Sequence, residues 1–174
     1  DQNGNDGDWI ELINAGDAPY SCNGMYLSNR RTEPWRWPLP SVTLEPGQHL
    51  LVWCDDNTDA GPLHANFTLA GGEDEVYVFT QDDEIWRAVD AIDWTDAIGD
   101  FSYGRMTDGA PEWVWFNPSS SNPPTPNSAN GTAVHLGDQI STSEVIPTLC
   151  NQPCLVSLPH AAHATLRDIK GHVV

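Results

Sequence analysis

Gly, Pro, Asn and Asp interrupt this chain so often that it cannot build its core from helices. Fourteen Gly and fourteen Pro are spread through 174 residues, and stretches rich in Ala or Leu are few. In a helix interior Gly costs about 1 kcal/mol and Pro about 3 kcal/mol relative to Ala. Between these breakers lie short apolar runs, the pattern of an all-β chain with turn chemistry between strands. The length suffices for one medium β domain with a tail.

Six runs in the first part read as strands: residues 9–13, 24–27, 49–53, 76–79, 85–94 and 113–116. In the first, alternation puts Ile10 and Leu12 on one face and Trp9, Glu11 and Ile13 on the other. Asn23-Gly24 marks a turn before the second. The third is nearly all apolar, which predicts burial on both faces. It is launched by Glu45-Pro46-Gly47-Gln48, a type II turn in which Pro presets φ and Gly accepts φ > 0. Gln81-Asp82-Asp83-Glu84 reads as a hairpin loop returning into the fifth run, with Val89 and Ile92 as core residues. Trp9, Trp53, Trp94 and Trp113 lie in or beside strands and are expected to fill the core. The order predicts an immunoglobulin-like β-sandwich followed by a short β-rich C-terminal segment.

Charge divides the chain. Residues 1–130 carry 22 acids and 5 Arg, net −17, whereas residues 131–174 carry net −1 and four of the six His. The Pro/Ser/Asn-rich stretch 117–127 lies near that boundary and cannot pair in a sheet interior. The expected organisation is a domain over 1–130, a linker over 131–144 and a tail over 145–174 with β-like runs at 154–158 and 164–169. A total of −18 argues against nucleic acid and against an anionic membrane surface. No apolar run approaches the ~18 residues of a membrane span, so no membrane insertion is expected. The chain opens without Met in a polar loop, and so reads as a piece of a longer polypeptide. Four Cys in an acidic, Lys-poor chain fit an oxidising extracellular setting.

Motifs for catalysis are missing: there is no Gly-x-Ser-x-Gly elbow, no His-Glu-x-x-His and no phosphate-binding Gly loop. Carboxylates are too numerous for any pair to stand out as acid and base, so no enzyme is expected. Calcium is the more physical use of such acidity. Asp1, Asn3, Asn5, Asp6 and Asp8 resemble part of a calcium loop, and Asp55, Asp56 and Asp59 form a second cluster; the plain reading of both is a solvated polar loop. In the tail, Cys150, Cys154, His160 and His163 are zinc-type donors, but only five residues separate the pairs, which favours a Cys150–Cys154 disulfide or two free thiols. Cys22 and Cys54 are expected on neighbouring strands and disulfide-bonded. Trp35-Arg36-Trp37 sits in an irregular segment, where two rings and a guanidinium offer an exposed stacking site for a ligand. Asn66-Phe67-Thr68 and Asn130-Gly131-Thr132 fit the N-glycosylation pattern.

The segment order resembles the lamin-tail domain in its bacterial secreted form. The carrying residues are Gly7-Asp8-Trp9-Ile10-Glu11-Leu12-Ile13-Asn14, then Gly24-Met25-Tyr26-Leu27-Ser28-Asn29, then Leu44-Glu45-Pro46-Gly47-Gln48-His49-Leu50-Leu51-Val52-Trp53. Leu63-His64-Ala65-Asn66-Phe67-Thr68-Leu69 follows, then Ser102-Tyr103-Gly104-Arg105 with Asp108-Gly109, and finally Pro124-Thr125-Pro126-Asn127-Ser128-Ala129-Asn130. The resemblance implies an immunoglobulin-like sandwich without catalytic activity, used for attachment or interaction. Two departures stand out. The family's opening strand is absent, which leaves a sheet edge to be closed by preceding sequence or by another segment. Asn127 stands where the family has Gly.

The tail is similar to the first half of a type IX secretion C-terminal sorting domain. The similarity lies in Val145-Ile146-Pro147-Thr148-Leu149-Cys150-Asn151, Leu155-Val156-Ser157-Leu158 and Ala164-Thr165-Leu166-Arg167-Asp168-Ile169-Lys170-Gly171-His172-Val173-Val174. It implies export across the outer membrane of a Bacteroidota-type bacterium, with the secretion machinery as a partner. The expected function is a structural or interaction module of a secreted or cell-surface protein, meeting a protein or a cell-surface glycan, with no cofactor unless calcium. The alternatives are a carbohydrate-binding module and an accessory domain of a larger secreted enzyme whose catalytic part lies outside this sequence.

Overall fold

The computed structural model describes residues 7–131 and the backbone of residues 155–158. Their strands are β1 Asp8–Asn14, β2 Tyr20–Ser21, β3 Met25–Ser28, β4 Trp37–Pro38, β5 Thr43–Leu44, β6 His49–Cys54, β7 Glu73–Asp82, β8 Ile85–Thr95, β9 Ser102–Arg105, β10 Trp113–Phe116 and β11 Leu155–Leu158. The sole helical element among the described residues is the 3-10 turn Thr58–Ala60.

Local chemistry explains the turns. Before β6, Gln48 N donates to Glu45 O at 2.9 Å and Gly47 takes φ 74°, as a type II turn requires. The β7–β8 hairpin closes through Asp83 and Glu84, both at positive φ, because a two-residue loop must follow the twist of its strands.

Two layers enclose the core. One sheet runs β11-β1-β6 and the other β4-β3-β7-β8, with the pairs β2-β5 and β9-β10 beside them. Ile10, Leu12 and Val52 of the first sheet join Met25, Leu27, Val76 and Val78 of the second in one buried cluster. Trp9, Trp37, Phe67 and Trp94 belong to it as well, whereas Trp53 packs against it half-buried, and Trp113, expected in the core, lies half-buried outside it under the Arg105 guanidinium. This is an all-β sandwich. A bulge in β8 explains an apparent conflict of period. Val78 pairs with Asp90 and Phe79 with Ala88, so Val89 is the extra residue. It thereby packs against the same core as Ile92, three positions on.

The first strand is buried from Trp9 through Asn14, on both faces. The second face meets a closing segment, residues 124–130, where Asn127 N donates to the Glu11 carboxyl group, while Asp108 of the β9–β10 connection faces His49 of the neighbouring β6 across 3.5 Å. Asn127 holds φ 59°, which explains a Gly-like position; Asn is among the few other residues that tolerate it.

Two further expectations are corrected. The strand at 49–53 is not buried on both faces: Val52 and Cys54 are buried, while His49, Leu50, Leu51 and Trp53 are half-buried. Cys22 and Cys54 are free, buried thiols rather than a disulfide. They do not lie on neighbouring strands, because β2, which precedes Cys22, pairs with β5, whereas β6 pairs with β1. Burial pushes the Cys22 thiol up to about 11. Burial, reinforced by Asp8, Asp55 and Asp74, pushes Cys54 well above its usual range. An alkylating reagent at pH 8 is therefore expected to leave both unlabelled in the folded chain and to label both in urea, since the thiolate is the reactive form. A non-reducing peptide map linking Cys22 to Cys54 would contradict this.

Candidate functional site: an exposed aromatic patch

Alternation along β3 turns Met25 and Leu27 into the core and Tyr26 onto the outer face. Tyr26 lies opposite Phe79 of β7, and Trp86 of β8 lies opposite Gln81, so these side chains share that face. The Trp86 ring meets Tyr26 edge-on at 4.9 Å, and Trp35 closes over Trp86 at 6.3 Å. Trp35 and Ile85 are each 57% exposed. A ridge of rings continues inward, with Tyr77 stacked on Phe79 at 5.3 Å. Burial, and then the hydrogen bond that Tyr77 donates to Glu75, push its hydroxyl up to about 12, so it stays a donor.

Trp35 belongs to a loop that is pinned along its length. Arg31 N donates to Glu75 Oε1 at 2.9 Å, Arg30 pairs with Glu33 at 2.9 Å, and Asn66 Nδ2 donates to Arg36 O at 3.0 Å. The same loop contributes Asn29, Arg30 and Arg36 to a polar groove completed by Asp56, Asn66 and Asp74.

The stacking trio read from sequence is thus divided. Trp35 is presented, but Trp37 is 6% exposed and paired to Leu27 in the sheet. Arg36 lies over the Phe67 ring at 5.3 Å, not over a tryptophan. The reason is that pairing in β4 draws Trp37 into the core, whereas Trp35 precedes that strand and stays exposed. Trp86 and Tyr26 take the missing places. Sequence signals for both existed, namely Tyr26 flanked by two core residues and Trp86 just past the hairpin, but nothing local shows that they meet.

The acidic clusters separate in the same way. Asp1, Asn3, Asn5 and Asp6 lie outside the described residues. Asp8 belongs to β1, where burial pushes its carboxyl up to about 6, against a Leu69 backbone hydrogen bond and with the Asp74 charge. Asp55 is committed to the buried His64 at 2.8 Å, Asp56 lines the groove, and Asp59 sits in the 3-10 turn. No group of three or more His, Cys, Asp or Glu able to hold a metal occurs among the described residues. Cys150, Cys154, His160 and His163 fall outside them. Asn130, the second glycosylation candidate, is buried and donates to Arg105 O at 2.8 Å, which removes it as an acceptor in the folded chain. Arg105 itself lies over the Trp113 ring at 4.3 Å and donates to Ala110 O.

Glu11 is the other unusual group. It is wholly buried, one oxygen accepts from Asn127 N, and the other has no hydrogen-bond partner. Burial pushes it up to about 8, opposed by the Asn127 N–H and assisted by Asp108. It faces the closing segment rather than a cleft, so its role is in the fold. Comparison with known proteins finds no matching family model, curated protein or solved structure.

Proposed function

We propose that this chain is a non-catalytic interaction module of a secreted or cell-surface protein, on an immunoglobulin-like, lamin-tail-type sandwich. Its binding face is the patch of Trp35, Trp86 and Tyr26, and its partner is a cell-surface glycan. The supporting observation is that the rings are held at fixed separations on a sheet and a pinned loop while Trp35 is more than half exposed. Rings so held give large contact area with little loss of rotamer freedom on binding. The electron-rich faces of indoles attract the weakly positive C–H edges of a pyranose. Asp82, Asp83 and Glu84 at the adjoining hairpin are exposed acceptors for its hydroxyls. The sorting-domain resemblance of the tail supports export as the route to that partner.

Tryptophan fluorescence and calorimetry against soluble cell-wall polysaccharides test this. Trp35→Ala and Trp86→Ala are each expected to weaken binding about 30-fold, the size of an aromatic hot spot of ~2 kcal/mol. No spectral or thermal response to any glycan removes the glycan reading and leaves a protein partner.

A further inference from the structure

β1 is buried from Trp9 onward, yet among the described residues the body of the sandwich pairs with one of its edges, through β6. The other edge holds β11 in a parallel ladder: Glu11 opposite Leu155, Leu12 opposite Val156, Ile13 opposite Ser157 and Asn14 opposite Leu158. Asp8, Trp9 and Ile10 continue β1 beyond that ladder without a β11 partner. Such an edge presents backbone N–H and C=O groups that call for a strand.

The resident strand is attached by a long tether. Residues 132–154 lie between Gly131 and Leu155. Extended, a connection of that length spans about 80 Å. A body of the size of residues 7–131 has a radius of gyration of only about 14 Å. A tether that brings Leu155–Leu158 to β1 of its own copy is therefore long enough to bring it to β1 of a neighbour.

We propose that β1 is a strand-acceptor edge across which two copies of this chain exchange their Leu155–Leu158 strands. The exchanged ladder is the same ladder, so no new contact is needed, and exchange of an identical element is a low-cost route to a dimer. A parallel pairing of four residues is slightly less stable per residue than an antiparallel one, which eases its opening. The resident strand docks within its own chain and its exchanged counterpart between chains, so exchange grows with protein concentration. Each copy carries −18, so repulsion opposes the encounter and salt promotes it. This inference depends on the β1 edge alone and stands apart from the aromatic patch.

The test mixes two differently tagged full-length chains at 10 µM and at 500 µM, in 50 mM and 500 mM NaCl, and measures mass by light scattering and co-purification of the tags. The expected result is mixed dimers at high protein concentration, more of them in high salt. In a ladder paired on one edge, alternate residues direct their N–H to the neighbour. Of Val156→Pro and Ser157→Pro, one must therefore remove a ladder hydrogen bond and is expected to abolish exchange. A peptide spanning residues 151–162, added to the unmodified chains, is expected to dissolve the dimers, which keeps the test independent of how the proline variants fold. Chains that stay monomeric without tag exchange at 500 µM overturn the proposal. So do dimers indifferent to both prolines and to the peptide, which would place the contact elsewhere. Trp35→Ala is expected to leave exchange unchanged, so that failure here and failure of the glycan reading are told apart.

Discussion

At pH 8, Glu11→Gln is expected to be more stable than the parent chain by about 3 kcal/mol, and at pH 4.5 to be less stable by about 1 kcal/mol. The crossing follows from two opposed effects. Burial holds Glu11 protonated until about pH 8, against an ordinary value of 4.5. The unfolded chain ionises near that ordinary value, so between pH 4.5 and 8 folding must take up a proton. Stability is therefore undiminished below pH 4.5, falls by about 1.4 kcal/mol for each pH unit through that window, and levels off above it. Glutamine cannot ionise, which removes that slope while an amide oxygen still accepts from Asn127 N. Its NH₂ replaces the carboxyl O–H, which has no partner either, and brings one further buried N–H without a partner, which costs about 1–3 kcal/mol at every pH. Asp8, pushed up to about 6 by burial, adds a slope of the same sign in the parent chain between its ordinary 3.8 and 6. Urea unfolding at pH 4.5, 6 and 8 checks the crossing; a variant weaker by the same amount at all three would show that Glu11 is held ionised.

Phe67→Ala is expected to lose about 4 kcal/mol, whereas Trp35→Ala is expected to change stability by less than about 0.5 kcal/mol. Phe67 is 2% exposed inside the core cluster, although it lies on no strand. Its removal leaves a ring-sized cavity and withdraws the seat of Arg36, whose guanidinium lies 5.3 Å from the ring centroid. Arg36 also lines the polar groove, so the loss reaches that surface as well as the interior. Trp35 carries a larger ring system than Phe67, but more than half of it is in water. The pair of substitutions thus separates rings that fill the interior from rings offered to a partner. Thermal and urea unfolding of both variants measures it, and a comparable loss for Trp35→Ala would mean that Trp35 is a structural ring.

The aromatic site was only half legible. Trp35 stands out because Pro34 precedes it and no alternation claims it, whereas Trp37 differs from it by two positions and by the pairing of one short strand. Strands of two residues, such as β2, β4 and β5, carry no periodic signal at all. The cysteines fail for a related reason: proximity in one sandwich does not make two residues cross-strand neighbours, and register decides that.

What the sequence determined by itself is what a few neighbouring residues can enforce: the type II turn at Gly47, a hairpin turn within residues 81–84, which the structure narrows to Asp83 and Glu84 because Gln81 and Asp82 pair with Trp86 and Ile85, and the alternation that sends Ile10 and Leu12 into a core. These rest on local sterics and on the period of the pleat, which need no partner. Tertiary structure alone decided the bulge at Val89, the meeting of Tyr26, Trp35 and Trp86, the reach of Asn127 across 116 positions to Glu11, and the docking of Leu155–Leu158 on β1. Each of these depends on which backbone groups and side chains remain unsatisfied once the sheets have formed, and distant segments compete for them only in the assembled chain.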